Sequence, residues 1–347
     1  MKLSLPSLSS LRRQGSPAIG KDRLQTWGIP AYAGMTARLV FVLALVIPLL
    51  DSNAYHIDVL VTAGLFMLLA LGLNVIVGYA GILNLGYAAL YACGAYSYAL
   101  LNIHFHIPFW IGLLLSGILT AVFGMLLAFP ALRLSGDYLA IVTLGAGEIV
   151  RIALNNLDTL TGGPNGLLGI AHPRLLNFDF SVSSTPYYYL ILVLIAVLCF
   201  FLKRIEHSRL GRAWLALRED ELAATCMGVN PAWAKLLAFA IGGFIAGLAG
   251  CIFAAKQGSI SPDSFDFIVS VMVLAMVVLG GLGRISGVLL GALSLSLLPE
   301  LFRGFDIYRM LLFGVAMILM MLFRPQGLLR EKHQTAVFAK DEVEPSP

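Results

Sequence analysis

Glu148 and Arg151 are the two side chains whose types and spacing best suit the handling of a charged solute. They lie three residues apart in an apolar segment, so a helix would place both on one face. Ionisable groups inside such a segment are costly and usually face protein or a water-filled cavity. One interpretation is that the pair lines a pathway for a zwitterion. The other is a structural ion pair near the outer end of the segment, and the sequence leaves both open.

Asn74 and Asn84 have two similar interpretations. They flank a glycine-rich break that contains Gly78 and Gly81, and a similar break occurs at 280–283 in the second half of the chain. The amides are able to bond exposed backbone at a helix break or to line a cavity. Two similar breaks are typical of transporters built from two repeats, with the substrate site between them.

The sequence lacks the motifs of common enzymes. Segment 15–22 has the glycines and lysine of a phosphate-binding loop, but Asp22 stands where Ser or Thr would hold magnesium. His104 and His106 have no third zinc ligand beside them. The four cysteines are too far apart for a redox pair. We therefore expect no catalytic residue, metal, cofactor or ATP site in this chain.

The composition predicts the elements that must position these residues. Hydrophobic residues make up 59% of the 347 residues and charged residues 12%, against about 25% in soluble domains. This excludes a disordered chain and an ordinary cytosolic enzyme, and it predicts an all-α polytopic membrane protein. The net charge of +4 comes from short basic clusters between apolar runs, which is typical of membrane topology and not of nucleic-acid binding.

The apolar runs predict about ten transmembrane or re-entrant helices with a possible internal repeat. A straight crossing needs about 20 residues, so the short runs favour broken helices around a cavity. The predicted segments are 38–50, 57–77, 80–101, 109–129, 138–154, 187–202, 233–255, 267–280, 286–302 and 309–323.

Three regions are predicted around these spans. Residues 1–34 form a poorly structured leader, 35–323 the transmembrane domain and 324–347 a tail. The leader lacks the apolar stretch of a signal peptide. Segment 27–36 resembles translated bacterial intergenic sequence, so we expect the natural chain to start at Met35.

Basic residues predict the orientation. The connection 203–232 has five lysines and arginines near its start, and the tail is also basic, so both are expected in the cytoplasm. Ten crossings then place both termini inside. The poorly charged loops expected outside are 51–56, 102–108, 155–186 and 256–266.

The connection 203–232 contains a short predicted helix. The acidic cluster 219–221 suits a helix N-terminus, where the helix dipole favours negative charge. Ala223 and Ala224 follow at helical spacing, and Gly228 ends the helix. Its small-residue face is able to lie in a groove of another protein. The alternative is an amphipathic connector at the membrane surface, and physical chemistry alone leaves both open.

The spacing Glu221-x-Ala223-Ala224-x-x-x-Gly228 resembles the coupling motif of ABC importer permeases. Four other segments are similar, in order and spacing, to the M-type permease of branched-chain amino-acid ABC importers. The similarity extends over most of the chain, from about residue 38 to about residue 330. These four segments are 72–81, 161–166, 211–214 and 280–287.

The resemblance implies residue roles. A helix that docks on an ATPase would transmit nucleotide-driven closure to the transmembrane segments. The implied coupling residues are Glu219, Asp220, Glu221, Ala223, Ala224 and Gly228. A turn-rich loop on the expected outer side either receives a binding protein or is explained by turn chemistry alone. Its candidate residues are Thr161, Gly162, Gly163 and Asn165.

The resemblance also implies partners and a location in the bacterial inner membrane. The partners are a second, H-type permease, two cytoplasmic ABC ATPases, a periplasmic amino-acid-binding protein and the lipid bilayer. The expected function is that of an importer permease for branched-chain or related amino acids. The alternative is an ion-coupled secondary transporter, in which Glu148 would be the ion-sensitive site. An intramembrane enzyme is disfavoured because the sequence offers no convergent nucleophile and base.

Overall fold

The fold is described from a computed structural model. The leader, the predicted span 38–50 and the tail lie outside the described residues, as does almost all of the predicted span 309–323. The described residues are 53–132, 134, 137–175, 178–180, 183–301, 314–315 and 318.

Within these residues the chain is mostly helical, and helix α1 continues into a π-helical turn, Asn74–Tyr79. Two 3₁₀ turns lie at Gly163–Asn165 and Pro262–Phe265. The helices are α1 (Ala54–Leu73), α2 (Tyr87–Phe105), α3 (Phe109–Ala131), α4 (Asp137–Asn156), α5 (Asp158–Thr161), α6 (Thr185–Glu206), α7 (Arg209–Glu219), α8 (Glu221–Cys226), α9 (Pro231–Gln257), α10 (Phe267–Gly280) and α11 (Ile285–Leu301).

Six described helical segments are long and apolar enough to cross a membrane. This agrees with the prediction of an all-α polytopic membrane protein, whereas the count of about ten crossings is not confirmed. The six segments are Ala54–Tyr79, Phe109–Phe129, Tyr138–Asn156, Thr185–Glu206, Pro231–Gln257 and Pro262–Gly280.

The predicted span 80–101 starts too early. Helix α2 begins only at Tyr87, and residues 80–86 form irregular backbone between the π-helical turn and α2. Apolar residues such as Ile82 and Leu85 continue through this stretch, so hydropathy does not separate it from the helix. The result is a broken helix, as the short apolar runs elsewhere in the chain predict.

The core of the described fold lies where α9 packs against α1, α2 and α3. Glycines allow the helix backbones to approach closely: a Cβ atom at Gly94 of α2 would lie 2.5 Å from the Gly247 Cα atom of α9. Lipid gives no hydrophobic drive for helix association, so such small residues let van der Waals contacts hold the bundle together. The glycine spacing of α9 therefore serves helix packing.

Short strands join the two long loops that are predicted to lie outside. Strand β1 (Leu167–Leu168) pairs antiparallel with β4 (Ser259–Ile260), with Leu167 opposite Ile260. Strands β2 (Arg174–Leu175) and β3 (Phe178–Asp179) form a second antiparallel pair. The β1–β4 ladder fixes the loop before α6 against the loop after α9.

Candidate functional site

The connection 203–232 folds as two helices, α7 and α8, in place of a single one. Asp220 separates them in an extended conformation, with φ −156° and ψ 114°. Its carboxylate accepts the Leu222 and Ala223 N–H groups at 2.8 and 2.9 Å, which caps α8. Glu219 is the last residue of α7. The acidic cluster thus supplies the predicted N-cap of α8, but only Glu221 lies in its first turn.

Gly228 follows the end of α8. Its φ of +85° is a left-handed conformation that favours glycine, so the residue stops the helix. Two residues later the Asn230 side chain accepts the N–H groups of Ala232 and Trp233 and caps α9. The turn between α8 and α9 is therefore fixed at both of its ends.

The small-residue face of α8 is divided between the interior and the surface. Ala224 is only 3% exposed and packs against the chain itself, whereas Ala223 is exposed. The large apolar side chains of Leu222 and Met227 are 80% and 87% exposed. The exposed surface of α8 and of the residue that follows it therefore includes two large apolar side chains at positions that the motif leaves open.

Glu221 binds a lysine on the neighbouring transmembrane helix. Both carboxylate oxygens accept from Lys235 Nζ, at 2.7 and 2.9 Å, and the lysine side chain is only 11% exposed. Charge-assisted bonds of this kind are stronger than bonds between neutral groups. The pair fastens α8 to the start of α9.

Trp214 anchors α7, and the sequence reasoning did not single it out for this role. The side chain is fully buried, its Nε1 donates to the Ala234 carbonyl at 2.8 Å, and its ring stacks on Tyr79 with centroids 6.4 Å apart. Large aromatic residues in a charged connection are expected to pack against something. A large aromatic residue in the segment 211–214 was therefore the sign in the sequence that α7 packs against the rest of the chain.

Asn74 and Asn84 each bond backbone at a break. Both are buried. The Asn84 Oδ1 atom accepts the Gly86 N–H at 2.9 Å, and the Asn74 Oδ1 atom accepts the Gly283 N–H at the same distance. These contacts favour the first of the two interpretations, in which the amides satisfy non-helical backbone.

Glu148 and Arg151 form the ion pair that their spacing predicts, with Arg151 Nε 3.0 Å from Glu148 Oε2. Arg151 also lies 3.9 Å from Asp263. Glu148 lines a small cleft together with Gly86 and Ser270, near the start of α2. The pair therefore combines a structural contact with a position on a cleft, so the geometry leaves both interpretations open.

The turn-rich loop is stabilised by hydrogen bonds within it and to the end of α4. The Thr161 hydroxyl donates to the Leu154 and Leu157 carbonyls, at 2.6 and 2.8 Å, and is buried. Gly162 ends the one-turn helix α5, and Asn165 is exposed in the turn that follows. Turn chemistry accounts for this geometry, and the exposed Asn165 is available to a partner.

The predicted pathway residues are thus divided between two places. Asn84 and Glu148 lie near the start of α2, whereas Asn74 lies at the contact between the two glycine breaks. Across the described ranges, no three His, Cys, Asp or Glu side chains lie close enough together to hold a metal ion. Among the described residues the candidate site thus consists of a short helix with exposed apolar side chains and two breaks that polar side chains satisfy.

Known proteins are similar to this chain. The family described as "Branched-chain amino acid transport system / permease component" matches residues 55–321. The high-affinity branched-chain amino acid transport system permease protein LivM of Salmonella typhimurium is 45% identical over 329 residues, which is 87% of this chain and 77% of the relative. LivM of Escherichia coli is 44% identical over 329 residues, which is again 87% of this chain and 77% of the relative.

A second type of permease is more distantly similar. LivH of Escherichia coli is 26% identical over 283 residues, covering 76% of this chain and 91% of the relative. No solved structure matches the chain significantly. The matches to the family and to LivM span most of the described helices, including α7 and α8. The chain therefore belongs to the family of permease components of branched-chain amino acid transport systems.

Proposed function

We propose that this chain is the transmembrane permease subunit of an ABC importer that takes up branched-chain or related amino acids. The observation that carries the proposal is the similarity to LivM over 87% of the chain. The expected absence of an ATP site from the sequence agrees with ATP hydrolysis by separate subunits.

The coupling element in this proposal is α8. Docking on an ATPase uses the exposed Leu222, Ala223 and Met227, while Ala224 supports the helix from beneath. Asp220 and Gly228 set the two ends of the helix, and Glu221 transmits force to α9 through Lys235. Exposed large apolar side chains in a charged connection are typical of protein interfaces.

The proposal includes the partners that the resemblance implies. An H-type permease forms the other half of the pathway, two ATPases bind in the cytoplasm, and a periplasmic binding protein delivers the amino acid. This assembly requires the bacterial inner membrane, with the connection 203–232 and both termini in the cytoplasm. The strand-bearing loops then face the periplasm, where Asn165 is exposed to the binding protein.

In this proposal the substrate pathway runs beside Glu148 and must widen there, because the cleft has room for about one water molecule. The carboxylate and Ser270 border that cleft, while Asn84 fixes the irregular backbone next to it. Helix starts at membrane depth are common in transporter substrate sites because their N–H groups favour an anionic group. Arg151 holds Glu148 in place through the ion pair.

The test is reconstitution in liposomes with and without each partner. We expect amino-acid uptake only with the second permease, the ATPases, the binding protein and ATP. Met227→Glu should weaken ATPase binding about tenfold, because a charge replaces an exposed apolar contact. Met227→Leu is the matched control and should keep normal binding. Uptake by this chain alone, without nucleotide hydrolysis, would overturn the proposal.

A further inference from the structure

Arg218 lies in the last turn of α7, four residues after the buried Trp214 and on the same face of the helix. Its Nη1 atom donates to the Gly78 carbonyl at 2.7 Å, across 140 residues of sequence. The last carbonyls of a helix lack donors within that helix, and a cation is favoured there by the helix dipole. Arg218, which lies in the connection 203–232, thus supplies a donor to a carbonyl near the end of the π-helical turn.

The arginine lies in a notch between the two glycine breaks. A Cβ atom at Gly81 would lie 2.8 Å from Arg218 Cγ, and one at Gly283 would lie 3.1 Å from Arg218 Nη1. A Cβ atom on either glycine would crowd the arginine, which is otherwise exposed to solvent, and both glycines also have a left-handed φ. The notch is therefore formed jointly by the first and the second halves of the transmembrane domain.

The same place joins the breaks to each other. The Gly283 N–H donates to Asn74 Oδ1 at 2.9 Å, and a Cβ atom at Gly78 would lie 2.5 Å from the Gly283 nitrogen. The two breaks thus touch backbone to backbone beside the arginine. Arg218 therefore lies at the point where the two breaks meet.

The contact also leaves one polar atom unsatisfied. The Asn74 Nδ2 atom is buried and has no hydrogen-bond partner among the residues that the structure describes. Buried polar groups are nearly always bonded, so this unbonded donor lowers the stability of the contact in its present arrangement. The donor is available to a carbonyl that a shift of either break would bring within reach.

We propose that Arg218 is a positioning residue that passes movement of α7 and α8 to both glycine breaks, which open and close the cytoplasmic end of the pathway. The inference rests on the proposed function. Trp214 fixes the axis of α7, and Arg218 carries the displacement to Gly78 and Gly283. ATPase binding belongs to α8, so it does not depend on Arg218.

The test compares Arg218→Gln with Arg212→Gln in the complete importer. Arg212 is the matched control because it is exposed on the same helix, as Arg218 is, but its Nη1 atom donates to a carbonyl of its own connection, that of His207, at 3.1 Å. The measured quantity is the amount of amino acid transported per ATP hydrolysed. We expect Arg218→Gln to lower it about tenfold, a usual size for coupling between two sites, with normal ATPase binding. Arg212→Gln should leave it unchanged.

Arg218→Lys keeps a cationic donor and should restore part of the transport per ATP, which a merely structural loss would not show. If Arg218→Gln fails to assemble, Arg218→Lys alone is compared with Arg212→Gln, and an intermediate ratio supports the proposal. An unchanged ratio in the assembled Arg218 variants would overturn it. Absence of ATP-dependent uptake by the unaltered importer would instead overturn the proposed function.

Discussion

The two glycine breaks of this chain differ in how their backbone is satisfied. The first, residues 78–86, depends mainly on side-chain acceptors: Thr143 accepts the Leu85 N–H, and Ser270 accepts the Ala88 N–H just beyond it. The second, residues 280–283, is a short turn in which the Gly281 N–H bonds a backbone carbonyl and only the Gly283 N–H takes a side-chain acceptor, Asn74. The first break therefore relies more on polar side chains, whereas the second relies more on backbone bonds and on the glycine contacts between α10 and α11.

The largest expected effect comes from adding volume to the second break. A Cβ atom at Gly280 would lie 2.5 Å from the Val288 Cα atom. Relieving this clash requires a shift of the backbone, which costs more free energy than the rotation of a side chain. We expect Gly280→Ala to lower the free energy of unfolding by about 3 kcal/mol. Thermal unfolding of the purified chain in detergent measures the change.

Gly145 provides the control for this substitution. A Cβ atom there meets nothing within 4 Å, although the residue is also a helical glycine. Gly145→Ala should raise the stability by about 0.5–1 kcal/mol because alanine favours the helix. Equal effects of the two substitutions would contradict the packing difference.

A middle-sized effect is expected from the polar contacts of the first break. Asn84→Leu keeps a similar volume but removes the acceptor of the Gly86 N–H. Leaving a buried donor unpaired should cost about 2 kcal/mol, again measured by unfolding in detergent. Ser294→Ala is a suitable comparison because that hydroxyl bonds only its own helix at an exposed position, and it should change stability little. A neutral Asn84→Leu would mean that the first break does not depend on this side chain.

The smallest effect is expected where the breaks meet. Asn74→Leu removes the acceptor of the Gly283 N–H, but it also removes the unbonded Nδ2 group. The two changes partly offset each other, so the loss of stability should be about 1 kcal/mol and below that of Asn84→Leu. A larger loss than that of Asn84→Leu would show that the contact between the breaks is a main support of the fold.

The sequence predicted the bounds of the described spans closely, because a membrane-spanning helix consists largely of consecutive apolar residues. The start of α2 was wrong by seven residues, since the bonds that replace the helix there come from Thr143 and Ser270, far away in sequence. Hydropathy contains no information about such partners. The same limit applies to the contact between Asn74 and Gly283, which are 209 residues apart.

Within the connection 203–232, the sequence predicted the helix start at the acidic cluster and its stop at Gly228. It did not predict the division of Ala223 and Ala224 between surface and interior, or the bond from Glu221 to Lys235. A six-residue helix has too little periodicity to reveal which face packs inward. That face is determined by the first turns of α9.

Helix α8 is much shorter than the roughly 12–15 residues that an isolated helix needs in water. It persists because Asp220 and the Lys235 pair fix one end while Gly228 fixes the other. Each residue of an α-helix turns the next by about 100°. Inserting one residue after Ala224 would therefore rotate Met227 away from its present direction without altering any side chain, so the direction of the exposed apolar surface depends on the length of this short segment as well as on its residue types.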